Sequence, residues 1–231
     1  MNHCIFDQEV LLLINGANTP FLDTLMSLIS GKLTWVPLYL VILYEFHRRL
    51  RFSKQLFFVL TTVGLTFFLT DFCCSHIIRP MFMRLRPVCV DNPIHTLVHA
   101  VEGYRTHTSY GFPSCHASNT FGLSALVWLY FRNRWNTLAM FLWATVMCYS
   151  RVYIGVHYPG DVLCGAILGL LIGGNIYFLS RFLQRKYLPN LNVNLNDNPN
   201  DNIEPKTEKP LVAYAVMAMY LVLALVSAFA I

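Results

Sequence analysis

Long apolar segments alternate with short polar ones along most of the chain, and this alternation is the main structural signal of the sequence. The longer apolar runs approach the length of about 20 residues that a helix needs to cross the hydrocarbon core of a bilayer. The pattern therefore predicts an all-α integral membrane protein, a helical bundle of about six transmembrane helices. These helices are expected within residues 33–46, 55–76, 117–131, 136–150, 162–180 and 211–230.

Two shorter apolar stretches precede the first predicted span, at residues 9–14 and 21–29. Neither is long enough to cross a bilayer, so we expect short interfacial helices that pack on the bundle. Near the other end, an Asn- and Pro-rich segment without an apolar face predicts a flexible cytoplasmic linker. The chain thus divides into interfacial N-terminal helices, a main bundle, the linker and a C-terminal transmembrane helix, at residues 1–30, 31–183, 184–210 and 211–231.

Composition agrees with a membrane protein, because hydrophobic residues make up 55% of the chain, charged residues only 13%, and the mean hydropathy is +0.48. The net charge is +5, and basic residues cluster at 47–54, 132–134 and 181–186. We interpret these clusters as cytoplasmic loops under the positive-inside rule, not as a nucleic-acid surface. The bilayer is therefore the expected partner, nucleic acid is not, and no obligate protein partner is evident.

This orientation places two polar segments, 79–115 and 151–161, together on the outer face. His157 precedes Asp161 by four residues, so the carboxylate can reach one imidazole nitrogen, fix the tautomer and raise the basicity of the other nitrogen. A second histidine, His116, could serve as a general acid. Guanidiniums and a hydroxyl complete an anion pocket suited to phosphoryl transfer, and they come from Arg79, Arg86, Arg151 and Ser114.

These residues resemble the three-part signature of the PAP2 family, the type 2 phosphatidic acid phosphatases. That signature runs Lys-x6-Arg-Pro, then Pro-Ser-x-His, then Ser-Arg-x5-His-x3-Asp. In the first block Arg86 and Pro87 match, while Arg79 stands at the Lys position and replaces a point charge with a planar fork. The other blocks match at every fixed position, which are Pro113, Ser114, His116, Ser150, Arg151, His157 and Asp161.

The resemblance makes residues 31–183 a PAP2-like phosphatase core and implies a role for each matching residue. His157 would be the nucleophile that forms a phosphohistidine, Asp161 would orient it, and His116 would be the general acid. Arg79, Arg86, Ser114 and Arg151 would hold the phosphate. No metal and no other cofactor is implied.

Several other polar residues are expected to lie outside the catalytic machinery. Arg84 is interpreted as a contact to lipid headgroups. Asp71, within an apolar span, is interpreted as a helix-packing group. His95, His99 and His107 are expected to be solvated or to contact substrate. A disulfide between Cys89 and Cys115 on the outer face is left open.

A phosphate site at the bilayer boundary favours a lipid substrate. Residues 86–93, 103–105 and 110–122 resemble bacterial family members that act on lipid A phosphates or on undecaprenyl diphosphate, and residues 117–122 are most similar to the lipid A group. The prediction is an inner-membrane lipid phosphatase whose site faces the periplasm. A non-catalytic phospholipid-binding or transport protein would have no reason to keep His116 beside the His157–Asp161 pair. A haloperoxidase with the same pocket is expected to be soluble.

Overall fold

Helices account for most of the protein in the computed structural model, which describes residues 5–50, 53–187 and 209–230. The all-α prediction is confirmed, because the described residues contain no strand and only two isolated β-bridges. A 3-10 turn at Leu33–Trp35 precedes α3, and a π-helical turn at Cys73–Ile78 joins α4 to α5. The helices are α1 Ile5–Gly16, α2 Pro20–Ser30, α3 Val36–Leu50, α4 Lys54–Phe72, α5 Arg79–Phe82, α6 Cys115–Phe131, α7 Arg134–Tyr153, α8 Pro159–Tyr187 and α9 Leu211–Phe229.

Three helical stretches are long and apolar enough to cross a membrane, and they are Lys54–Phe82, Pro159–Lys186 and Leu211–Phe229. Helix α2 and the segment Leu33–Leu50 add a fourth if this pair, bent by 71°, counts as one span. Helices α6 and α7 are present where spans were predicted. However, α6 has only 17 residues, which is short for a span, and α7 is long enough but not apolar enough. Length and composition thus support three or four spans, and the predicted count of about six is not confirmed.

Close packing of α6 against α8 depends on glycines that recur every four residues on one face of α8. A Cβ atom at Gly165, Gly169 or Gly173 would lie 2.4, 2.1 and 2.8 Å from backbone oxygens of α6 or its N-cap residue Ser114. Only hydrogen fits at these positions, so the two backbones meet directly, as in small-residue helix contacts in membranes. The backbone N–H of Ser114 also donates to the Asp161 carbonyl at 3.0 Å. The start of α6 is therefore fixed beside the start of α8.

The two N-terminal helices are present where short apolar stretches predicted them, and they pack on α7, α8 and α9. Asn15 at the end of α1 donates from Nδ2 to the carbonyls of His99 and Tyr153, at 2.8 and 2.6 Å. Asp23 of α2 accepts from the Tyr153 hydroxyl at 2.7 Å and lies 2.8 Å from His99 Nε2. These contacts tie α1 and α2 to α7 and to residues 83–114, which we call the outer loop.

The predicted linker, 184–210, falls mostly on residues 188–208, which lie outside the described part of the chain. Helix α8 continues to Tyr187, beyond the predicted end of its span at residue 180. Helix α9 packs against α2, α3 and α7, so the segment after the linker returns to the bundle.

Candidate active site

His157 and Asp161 meet where α7 gives way to α8. Pro159 opens α8, which places Asp161 in the first turn and its Oδ2 atom 3.5 Å from His157 Nδ1. The same oxygen accepts the backbone N–H of Tyr158 at 2.9 Å, so the carboxylate is fixed in place. His157 is 2% exposed and Asp161 is fully buried. The four-residue spacing read from the sequence produces the expected neighbours.

Gly111 of the outer loop closes the site behind this pair. A Cβ atom at Gly111 would lie 3.2 Å from Asp161 Oδ2 and 3.4 Å from His157 Nδ1, so a side chain there would crowd both groups. Within the described residues Nδ1 meets no hydrogen-bond partner of good geometry, and the Asp161 carboxylate is its closest ion-pair neighbour. Because Nδ1 faces the carboxylate, Nε2 is the ring nitrogen available to a ligand in the cavity.

Arg84 holds the other oxygen of the same carboxylate. Its Nη1 donates to Asp161 Oδ1 at 2.9 Å, and its Nη2 pairs with Asp7 of α1. The guanidinium also lies 3.9 Å from the ring centroid of Tyr158. Asp7 in turn accepts the backbone N–H of Gly160 at 2.8 Å. The sequence predicts a headgroup contact for Arg84, but the structure places it behind Asp161 in a partly buried charge cluster.

A cavity of about 450 Å³ opens in front of His157. The sequence-predicted residues that line it are Arg79, Arg86, His116, Arg151 and His157. Asp161 lies behind His157. Ser114 is fully buried outside this lining, and its hydroxyl caps α6 by accepting from the Ala117 N–H at 3.5 Å. Ser114 thus positions His116 two residues later.

Each of the three arginines is anchored on one side. Arg79 donates from Nη2 to Cys115 Sγ at 3.0 Å and to the Pro113 carbonyl at 3.4 Å. Arg86 donates from Nε to the Tyr110 carbonyl at 3.4 Å. Arg151 donates from Nη1 to the hydroxyl of Ser30. The remaining N–H groups form a cationic wall, and guanidinium forks of this kind fit phosphate oxygens.

Burial and the same wall both oppose protonation of His157. Burial, followed by the positive charges of Arg151, Arg86 and Arg79, holds the pKa of His157 well below its ordinary value of 6.5. The imidazole is therefore neutral near pH 7 and has a lone pair available for attack. Burial and the charge of Arg79 also lower the pKa of Arg86, because like charges are crowded at this wall and an anion would relieve the crowding.

Residues 55–186 match the PAP2 superfamily, and this range includes the three cavity arginines and both histidines. The chain belongs to this superfamily. The resemblance drawn from the three motif blocks is thereby confirmed.

Curated PAP2 relatives extend the match over most of the chain. The sequence is 42% identical to a lipid A 4'-phosphatase of Bacteroides thetaiotaomicron, over 78% of this chain and 79% of that protein. It is 31% identical to a lipid A 4'-phosphatase of Porphyromonas gingivalis, over 79% of this chain and 76% of that protein. It is 27% identical to an undecaprenyl-diphosphatase of Sulfolobus acidocaldarius, over 71% of this chain and 73% of that protein.

A crystal structure of Aquifex aeolicus LpxE has the same fold. It superposes with a TM-score of 0.54 at 22% identity and covers 74% of this chain and 94% of the other. This similarity supports the helical architecture of the PAP2 core.

The cavity also contains polar residues that the PAP2 signature does not include. They are Lys32, Asp71, Ser75, Cys115, Asn119 and Thr120. Asp71 was interpreted as a helix-packing group, yet it lines the cavity. Its position within an apolar run was the one available signal, since an ionisable residue inside a span is costly and tends to mark function. Cys89 and Cys115 are both free thiols.

Proposed function

We propose that the protein is a membrane lipid phosphatase that removes a phosphate from lipid A through a phosphohistidine at His157. The observation that carries this proposal is the buried His157–Asp161 pair facing a cavity walled by three arginines and His116. This set supplies a nucleophile, a charge-neutralising wall and a proton donor, which phosphoryl transfer requires.

In the first step, His157 Nε2 attacks phosphorus while the bond from phosphorus to the lipid oxygen breaks. His116 gives its proton to that oxygen, and the lipid leaves as an alcohol. Asp161, 3.5 Å from Nδ1, balances the positive charge that develops on the imidazole. Arg79, Arg86 and Arg151 neutralise the phosphate oxygens during transfer, and the negative charge of the bound phosphate favours the protonated form of His116.

In the second step, water attacks the phosphohistidine and His116 takes up one of its protons. The P–N bond to His157 breaks, inorganic phosphate is released, and both histidines return to their starting states. Ser114 contributes by starting α6 at the correct point, because its hydroxyl caps the helix that carries His116.

The choice of lipid A rests on relatives. Two lipid A 4'-phosphatases match more than three quarters of the chain, at 42% and 31% identity. We therefore propose the 4'-phosphate as the group removed. Undecaprenyl diphosphate is the second candidate, supported by a relative at 27% identity.

We further propose six membrane spans, with the site at the periplasmic face of a bacterial inner membrane. The basic clusters lie at the ends of α3, α6 and α8 that are remote in sequence from the site residues. Helix α6 packs against α4, α7 and α8, so it needs less lipid-facing apolar surface than an isolated span. The positive-inside rule then orients the cavity outward.

The test is phosphate release by the detergent-purified protein without added metal. Lipid A, undecaprenyl diphosphate and phosphatidic acid are compared, and mass spectrometry identifies which phosphate lipid A loses. Release from lipid A at the 4' position, abolished in His157→Ala and retained in His107→Ala, is the expected result. Release that survives His157→Ala would overturn the mechanism, and preferential release from undecaprenyl diphosphate would overturn the choice of lipid.

A further inference from the structure

Asp71 is an acidic residue in the span Lys54–Phe82 that lines the catalytic cavity and has no bonded partner in the described part of the chain. No hydrogen bond and no ion pair of its carboxylate occurs there, whereas Asp7, Asp23, Asp91 and Asp161 all have partners. Its side chain is exposed and lines the cavity, whereas a group that packs one helix against another would be bonded between them. An ionisable group kept inside an apolar segment tends to serve a function.

The charge of Asp71 is opposite to that of the phosphate-binding wall. Arg79, Arg86 and Arg151 attract phosphate, while an ionised carboxylate accepts hydrogen bonds only and repels phosphate oxygens. Its presence in the same cavity would weaken the binding of a bare phosphate. It would strengthen the binding of a substrate that offers a hydroxyl or amino group close to its phosphate.

Asn119 lies in the same cavity and complements Asp71. Its Oδ1 accepts the hydroxyl hydrogen of Thr70, which immediately precedes Asp71 in α4, so its Nδ2 group remains as a donor. Aromatic side chains from Trp35, Tyr39 and Phe67 line the cavity as well. Apolar walls with a few placed polar groups are typical of pockets for small organic groups, where the polar groups fix orientation.

We propose that Asp71 and Asn119 form a headgroup subsite that binds the hydroxyl and amide N–H groups of a phosphorylated, N-acylated amino sugar. Asp71 accepts hydrogen bonds from the sugar and Asn119 donates one, while the arginines hold the phosphate. The subsite selects sugar phosphates over polyprenyl diphosphates, whose headgroup carries no such donors. This inference rests on the proposed function, because it uses the same cavity and the same nucleophile.

The experiment compares Asp71→Asn with the wild-type protein on two probes. The first is lipid A, which presents sugar donors, and the readout is kcat/KM. The second is inorganic phosphate, which presents none, and the readout is its inhibition constant in the same assay. Glu102→Gln is the matched control, because it removes one negative charge from an exposed position of the outer loop that is not part of the cavity lining.

The expected result is a decrease in kcat/KM for lipid A of about 10- to 100-fold, with phosphate inhibition unchanged or tighter. Glu102→Gln should match the wild type on both probes. Equal losses on both probes, or no loss on either, would overturn the subsite. A wild-type protein that releases nothing from lipid A would instead overturn the proposed function, and the subsite with it.

Discussion

Arg84 Nη1 donates to Asp161 Oδ1 at 2.9 Å, while the other oxygen of that carboxylate faces His157. Arg84 therefore fixes the rotation of the group that orients the proposed nucleophile. Through Asp7, the same guanidinium connects the site to helix α1, which precedes the matched PAP2 region. An N-terminal helix outside the matched family region is thus part of the support of the candidate active site.

Replacing Arg84 by Gln should lower kcat by about 10- to 100-fold with little change in KM, because the contact acts on Asp161 and not on the substrate. Arg84→Lys should recover part of the loss, since it restores one positive charge but not both hydrogen bonds. Steady-state kinetics with lipid A provide the measurement. Arg105→Gln, at an exposed position of the outer loop, is the control, and a loss confined to KM in Arg84→Gln would contradict this role.

Asp7→Asn tests the link to α1. The change weakens the contact to Arg84 and the cap on Gly160, so kcat should fall by about tenfold. In the double variant with Arg84→Gln the losses should be less than additive, because both changes disrupt one network. Glu9→Gln, exposed on the same helix, serves as the control. Additive losses would show that Asp7 acts independently of Arg84.

Motif spacing predicted the parts of the site that are close in sequence or held in one block. The His157–Asp161 pair follows from a four-residue interval across the start of a helix, and Arg151 follows from its place at the end of α7. The family signature supplied Arg86 and His116, which lie on other elements. These positions were predictable because each belongs to a motif block that specifies the residue type at that position.

The support of Asp161 depends on a contact between elements that are distant in the chain. Asp7 and Arg84 are 77 residues apart, and nothing near either one marks the pairing. Asp71 lies in an apolar run, and an acidic residue there is compatible both with a helix-packing role and with a role in the site. Ser114 matched the signature, yet the structure uses its hydroxyl as a helix cap. Periodicity gives the helices, but it does not say which polar side chain on a helix faces the cavity.

The contact between α6 and α8 should not tolerate a methyl group at Gly169. A Cβ atom there would lie 2.1 Å from the Ser118 carbonyl oxygen, so the helices would have to separate. Gly169→Ala should reduce stability by about 1–3 kcal/mol or more. Thermal unfolding in detergent gives the measurement. Gly174→Ala on the same helix has open space around its Cβ and should be neutral or stabilising, and equal melting temperatures for the two variants would refute close packing.

His116→Ala should separate the two chemical steps. With p-nitrophenyl phosphate as substrate, p-nitrophenolate can leave without being protonated. The phosphoryl group can therefore still transfer to His157. Attack by water lacks its base, so turnover should fall by about 10²- to 10⁴-fold and phosphoenzyme should accumulate. Labelled phosphate retained on the protein after an alkaline quench is the measurement, since phosphohistidine survives alkali. No label should appear in the His116→Ala/His157→Ala double variant, and label there would point to another nucleophile.

The pH profile of kcat/KM should report the lowered pKa of His157. A neutral imidazole is required for attack, and burial with the three arginines keeps it neutral below the ordinary value of 6.5. The acid limb of the profile should therefore lie below pH 6.5 in the wild type. Arg86→Gln removes one of the charges that oppose protonation, so the pKa of His157 should rise and the acid limb should move to higher pH.

This shift is separate from any loss of phosphate binding in Arg86→Gln, because binding changes the height of the profile and protonation of His157 changes its position. Arg105→Gln is the matched variant and should leave the limb in place, since Arg105 is exposed in the outer loop outside the cavity lining. An acid limb that stays fixed in Arg86→Gln would mean that a group other than His157 sets the protonation state required for reaction.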